Sequence, residues 1–441
     1  MKASIASLLC ALVASTAVAA PAPAPATAMQ HVPWSRNAVI YEVNVRQYTP
    51  EGTLLAFDKH LPELRAMGVD IIWLMPVNPI GQLDRKGVLG SYYAVRDYQA
   101  VNPEFGTLDD FKSVVNHAHA LGMKVILDWI ANHTAMDHPW LATHPEWYQK
   151  DKTGEISYYR YDNGSSIEEW TDVAGLDYGS KELRAAMLSA LQFWIRETDI
   201  DGFRCDVAMR VPTSFWNEAR AVLDSRKPVF MLAEAEKPEL HEHAFDMGYA
   251  WQLQKVMVRI AAGKASREDL IRVVREREAA FPADAIPMVF TTNHDQNSWE
   301  GSDAELYGAA EDAFTMLTFT LPGMPLIYSG QEAGNTHRLK FFKRDTIDWK
   351  TRARVPLFTR LAALKHAHPA LAAGLAGGPL EVIAVDDPAV LAFRRAKGKD
   401  EVIVVVNLSA EPRTYRLEGR APESLKAWGY TIAERIEPRV N

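Results

Sequence analysis

Residues 200–207 read IDGFRCDV, an apolar approach and a glycine followed by arginine, cysteine and aspartate in consecutive positions. Side chains alternate along a strand, so residues two apart share a face. Arg204 and Asp206 therefore point one way and Cys205 the other. A short apolar run of this kind reads as a buried strand of a parallel sheet. Seven further runs have the same character: AVIYEVNV (38–45), VDIIWLMP (69–76), KVILDW (124–129), PVFMLAE (228–234), a weaker FDMGYAW (245–251), PMVFTTNHD (287–295) and PLIYSGQE (325–332). Helical patterns separate them, and eight βα units predict an α/β protein built as a closed (β/α)8 (TIM) barrel over residues 35–372.

The helices have legible ends. Thr107 stands as N-cap before LDDFKSVVNHAHA, whose Leu108, Phe111, Val115, Ala118 and Leu121 recur near helical spacing before Gly122. Ser180 caps a second helix with Leu183, Met187, Ala190 and Trp194 on one face. Residues 133–176, between the third strand and the next helix, form an inserted domain with Trp140, Trp147, Tyr148, Tyr158, Tyr159, Tyr161 and Trp170. Those rings suit either a small core or faces that stack on sugars. From 375 to 441 the helices stop and short alternating runs predict a C-terminal all-β domain, a β-sandwich.

The chain has 441 residues, 48% hydrophobic and 24% charged, with a net charge of −8. That is a folded, ample-cored composition, and without a basic run nucleic acid is not an expected partner. Residues 1–20 have the Lys, apolar run and small residues of a secretory signal peptide, and 21–34 read as a Pro/Ala-rich linker. Export to the periplasm or the outside is expected, without stable membrane insertion. Cys10 leaves with the signal, so Cys205 stays alone and no internal disulfide forms.

In a parallel barrel the C-terminal strand ends converge on one face, where catalytic groups meet. Five of these ends carry carboxylates: Asp128, Asp206, Glu234, Asp295 after His294, and Glu332. Arg204, on the same face as Asp206, is expected to hold that carboxylate ionised with a lowered pKa, as a nucleophile requires. Glu234, at an apolar strand end with no adjacent cation in sequence, is expected to be raised by desolvation and to serve as general acid, ahead of its competitor Glu236. Paired carboxylates with divergent environments suit glycoside hydrolysis, and a separation near ~5 Å means retention through a covalent intermediate. Glu332 reads as a brace for the last loop. Cys205 reads as a structural thiol. His133, His138 and His144 with Asp137 have no strong zinc spacing.

These residues resemble the alpha-amylase family, glycoside hydrolase family 13, over roughly residues 35–375. DWIANHT resembles its first conserved region, matching Asp128, Asn132 and His133; GFRCD matches the arginine and nucleophile, Arg204 and Asp206; FMLAE matches the acid/base, Glu234. FTTNHD implies that His294 and Asp295 hold sugar hydroxyls and stabilise the transition state, and SYYAVRDY places a ring-stacking tyrosine at Tyr93. His133 and Arg204 join the substrate-binding set, with Asp128 supporting. Departures lie on the acceptor side, where Met209 and Arg210 replace Lys-His, and at Gly175, which replaces a calcium-binding acid of typical members. Asn132 keeps one calcium position; no cofactor is required, and any calcium is structural. Val207 after the nucleophile resembles members acting on alpha-1,6 bonds. The resemblance implies a retaining hydrolase of alpha-glucans or malto-oligosaccharides. The alternatives are a transglycosidase or alpha-1,6-acting glucosidase using the same residues, and a non-catalytic carbohydrate-binding homologue, which would be expected to have lost an acid.

Overall fold

The computed structural model describes residues 29–162 and 164–436. Eight parallel strands close into a barrel in chain order: β1 Ile40–Val43, β2 Ile71–Leu74, β3 Lys124–Ile130, β4 Gly202–Asp206, β5 Phe230–Ala233, β6 Met247–Tyr249, β7 Ile286–Val289 and β8 Met324–Tyr328, which pairs back onto β1. Each falls within one of the eight runs or extends one residue past it, the weak 245–251 run included.

Strand parity divides the core in two. Ile40, Ile71, Trp73, Ile126, Phe230 and Leu232 fill the barrel, while Val39, Tyr41, Val125, Phe203, Cys205 and Met231 face the surrounding helices. Gly202 lets β4 approach β5: a Cβ there would sit 1.8 Å from the Phe230 carbonyl oxygen. The helix Leu108–Ala120 starts with a Thr107–Asp110 capping box, and Lys181–Thr198 starts with Ser180 accepting from the Leu183 N–H. Leu183, Met187, Ala190 and Trp194 are buried as their spacing requires.

Cys205 is fully buried in the outer layer, and burial pushes its thiol well above the ordinary range. Cys205→Ser is expected to cost about 1–2 kcal/mol of stability through a buried hydroxyl while leaving turnover within twofold, read by melting and initial rates. Loss of activity at unchanged stability contradicts the face assignment.

Within 133–176, His133–Ala135 pairs with Val173–Gly175 and Tyr159–Asp162 with Ile167–Trp170, both antiparallel. The C-terminal unit is an antiparallel sheet of Leu380–Ile383, Val390–Lys397, Asp400–Asn407 and Tyr430–Ile436. A ribbon, Arg413–Tyr415 with Glu423–Leu425, covers one face through Tyr415 and Leu425.

Residues 1–20, where a signal peptide is expected, and the first part of the expected linker lie outside the described residues. The linker's last residues are corrected: Val32 and Trp34 pack at the barrel's inner core and His31 Nδ1 lies 2.8 Å from Asp246. The Pro/Ala composition ends before residue 29, and residues 31–34 have apolar groups to bury. No helix among the described residues is long and apolar enough to cross a membrane.

Candidate active site

Arg204 is the centre of the site. It is fully buried, with its guanidinium over the rings of Trp73, Tyr249 and Tyr93 at 5.1, 5.7 and 5.8 Å. Nη1 donates to Asp128 Oδ1 at 2.9 Å and to Asp206 Oδ1 at 3.0 Å, and Nη2 lies 3.2 Å from Glu234 Oε2. Strand parity brings the first two acids inward; adjacency of β4 and β5 brings the third.

Two electrostatic expectations are corrected by this arrangement. Glu234 does have a cation beside it, supplied by the neighbouring strand and therefore invisible along its own segment. Asp206 is raised well above the carboxylate range: burial and the Glu234 charge push it up, and Arg204 opposes without prevailing. Asp128, pushed up mainly by burial and held down by Arg204, stands at about 6. One guanidinium facing three carboxylates leaves excess negative charge in a buried place, so protonation belongs to the cluster.

Glu234 Oε2 also accepts the Val207 N–H at 2.6 Å. Val207 takes a left-handed φ of 35°, rare for a β-branched residue, and that turn aims the amide at the acid. Glu236 points elsewhere, to Arg277 at 3.5 Å and the Gln252 N–H at 3.2 Å.

Tyr93 OH lies 3.2 Å from Asp128 Oδ2 and 2.8 Å from His294 Nε2, its ring stacked on His294. His294 Nδ1 meets Glu42 at 2.5 Å and Nε2 lies 3.5 Å from Asp295. Burial disfavours a charged His294, but Asp295 and Glu42 more than offset it and raise it to about 9. A folded value above the ordinary 6.5 gives stability fully present below that pH and lost as pH rises through about 9. Glu42→Gln is therefore expected to flatten the fall in melting temperature between these limits; an equal slope in both proteins removes the assignment. His133 is neutral, driven to about 3 by burial, and Asn132 Nδ2 donates to its Nδ1 at 3.1 Å.

Glu42 is the member the strand-end inspection missed. Its signal was an acid two residues from Ile40, hence on the inward face of β1. Glu332 braces its loop through Tyr41 OH and the Gly330 N–H at 3.0 Å, buried and raised to about 7. The histidines are dispersed: His138 caps a short helix, His144 stacks on Trp147, and no group of three metal-ligating side chains occurs among the described residues.

Asn132 Nδ2 donates to His133, and Gly175, paired with His133 in the ladder, brings no carboxylate; a Cβ there would meet Tyr159 at 2.8 Å and Gln149 Oε1 at 2.9 Å. Neutral side chains thus occupy the space of the acid that is absent.

A cavity of about 900 Å³ opens over these groups. The inserted domain's aromatics divide between roles: Trp147, Tyr148 and Tyr159 are buried, whereas Tyr161 and Trp170, stacked at 5.0 Å, line the cavity together with Trp299 and Phe341. Arg210 lies over Tyr161 at 4.8 Å.

The family model "Alpha amylase, catalytic domain" matches residues 35–356. An alpha-amylase of Haloarcula japonica is 30% identical over 405 residues, 87% of this chain and 57% of that protein. An alpha-1,4-glucan:maltose-1-phosphate maltosyltransferase of Rhodospirillum rubrum is 26% identical, covering 85% of this chain and 57% of its own length. The chain thus spans little more than half the length of these two relatives. Among solved structures, an alpha-amylase from Lactobacillus plantarum superposes with TM-score 0.81 at 30% identity over 91% of this chain and all of the other. A maltogenic alpha-amylase from Thermotoga neapolitana gives 0.78 at 29% identity over 90% and 96%.

Proposed function

The chain belongs to the alpha-amylase family, and on that premise we propose that it is a retaining alpha-glycoside hydrolase of alpha-glucans or malto-oligosaccharides. The observation that carries this is that Asp206 and Glu234, both lining the cavity, meet the two Nη atoms of one guanidinium at 3.0 and 3.2 Å. The reading requires the narrow carboxylate spacing of a covalent intermediate rather than the wider gap that admits a water between acid and base.

With the cluster's proton on Glu234, the charge that disfavours an ionised Asp206 is removed, and Asp206, a carboxylate held by Arg204, attacks the anomeric carbon; the C1–O bond to the leaving sugar breaks, and that oxygen takes the proton of Glu234. With Oε2 held by the Val207 N–H and Arg204, Oε1 is the oxygen that presents this proton. Glu234, now a carboxylate, takes a proton from water as the water oxygen bonds to C1 and the aspartyl ester breaks. Tyr93 stacks on the reacting ring, Asp295 and the charged His294 hold its hydroxyls with His133, and Asp128 fixes Arg204 and Tyr93.

The test is proton NMR of the protein with maltoheptaose and with isomaltotriose, with and without added glucose. Early alpha-anomeric product supports the proposal; an early beta product or no turnover overturns it. Longer sugars favour transglycosylation, a second reading supported by the maltosyltransferase relatives. We propose further that no calcium is needed: a chelator is expected to shift the melting temperature by less than about 1 °C, and a fall of several degrees contradicts this. Export through residues 1–20 belongs to the same proposal and is checked by N-terminal sequencing of protein recovered outside the cytoplasm.

A further inference from the structure

Contacts order the inserted-domain wall of the cavity from one end to the other. Tyr161 stands on the Glu234 side: Arg210 lies over it at 4.8 Å, and the Arg210 N–H donates to the carbonyl of Val207, whose own amide holds Glu234; Trp170 stacks on Tyr161, and His133 lies 5.6 Å from Trp170. Lys86 and His133 line the same cavity, and Lys86 Nζ pairs at 3.0 Å with Oδ1 of Asp172, the residue before the strand Val173–Gly175 that pairs with His133–Ala135. Glu234 protonates the departing sugar, so the leaving group lies toward Tyr161 and the retained sugar toward His133 and Lys86.

The segment carrying Lys86 is a fixed bar rather than a lid. Arg85 donates to the Gly81, Ile80 and Val88 carbonyls at 2.7, 3.1 and 3.4 Å, and Arg46 to those of Leu89 and Gly90 at 3.0 Å. On one side Asp84 accepts from Tyr158 OH at 3.0 Å. On the other, Gly87 lies so close to Phe342 that a Cβ would sit 2.9 Å from the phenylalanine Cβ. Asp172, with its side chain 5% exposed, is a costly partner to strand without Lys86.

We propose that the bar 81–90, locked to the inserted domain by the Lys86–Asp172 ion pair, closes the retained-sugar end of the cleft, so that the site accepts a glucan only by its non-reducing end. The chain then acts exo-wise, releasing one short product size. The inference rests on the assignment of Glu234 as acid.

The test compares a p-nitrophenyl alpha-maltoheptaoside having a free non-reducing end with the same sugar blocked there by a 4,6-ethylidene group, products being resolved by chromatography. The parent is expected to prefer the free-ended sugar by at least roughly tenfold in kcat/KM, and Lys86→Ala and Lys86→Met to reduce that preference severalfold. Stranding Asp172 should lower the melting temperature of both variants, so rates are compared at a temperature where melting curves show parent and variants folded. Comparable cleavage of both sugars by the parent overturns the proposal, as does a preference unchanged in both variants. If neither sugar is turned over, the hydrolase reading fails by itself. Calorimetry then decides the bar: the free-ended sugar must bind at least roughly tenfold tighter, and equal affinities overturn it.

Discussion

Asp206→Ala is expected to lower kcat on malto-oligosaccharides by on the order of 10⁴-fold or more, because it removes the carboxylate that forms the covalent intermediate. The fold should survive. Asp206 is one of three carboxylates around a single guanidinium, and burial together with the Glu234 charge already disfavours its ionised form. Removing it relieves repulsion, so the melting temperature should stay or rise. Sodium azide supplies the chemical check. In the vacated space it attacks the alpha-linked substrate directly, giving a beta-glycosyl azide with one inversion. A variant with full activity, or one that yields an alpha-azide, sinks the nucleophile assignment.

Glu234→Gln keeps an oxygen for the Val207 N–H but cannot supply a proton or take one from water. Turnover of oligosaccharides should fall by about 10³-fold or more, while alpha-glucosyl fluoride, whose leaving group needs little protonation, should still glycosylate Asp206 with loss of fluoride. The glycosyl-enzyme then waits for a base that is gone, and intact-mass spectrometry should show the protein heavier by one glycosyl unit. Azide here attacks the intermediate and gives the alpha-azide, the opposite stereochemistry to that at Asp206. Equal losses on oligosaccharide and fluoride, without accumulation, mean that Glu234 is not the acid/base.

The sequence by itself determined the barrel, its inserted domain and the inward partners Arg204 and Asp206, because these depend on local periodicity. Apolar runs, caps and two-residue alternation are written within a few neighbours along the chain. It also showed that Cys205 faces away from the chemistry, by the same parity. Tertiary structure alone decided the electrostatics. Glu234 stands 30 residues from Arg204 in the chain and 3.2 Å from it in space, so whether Asp206 is lowered by a private cation or raised in a crowd cannot be read from either segment. Glu42 beneath His294, the turn at Val207 that aims an amide at Glu234, and the Lys86–Asp172 closure join strands and loops that meet only when the barrel closes. Charge interactions act through space and depend on how much water is excluded, and neither quantity is a local property of the chain.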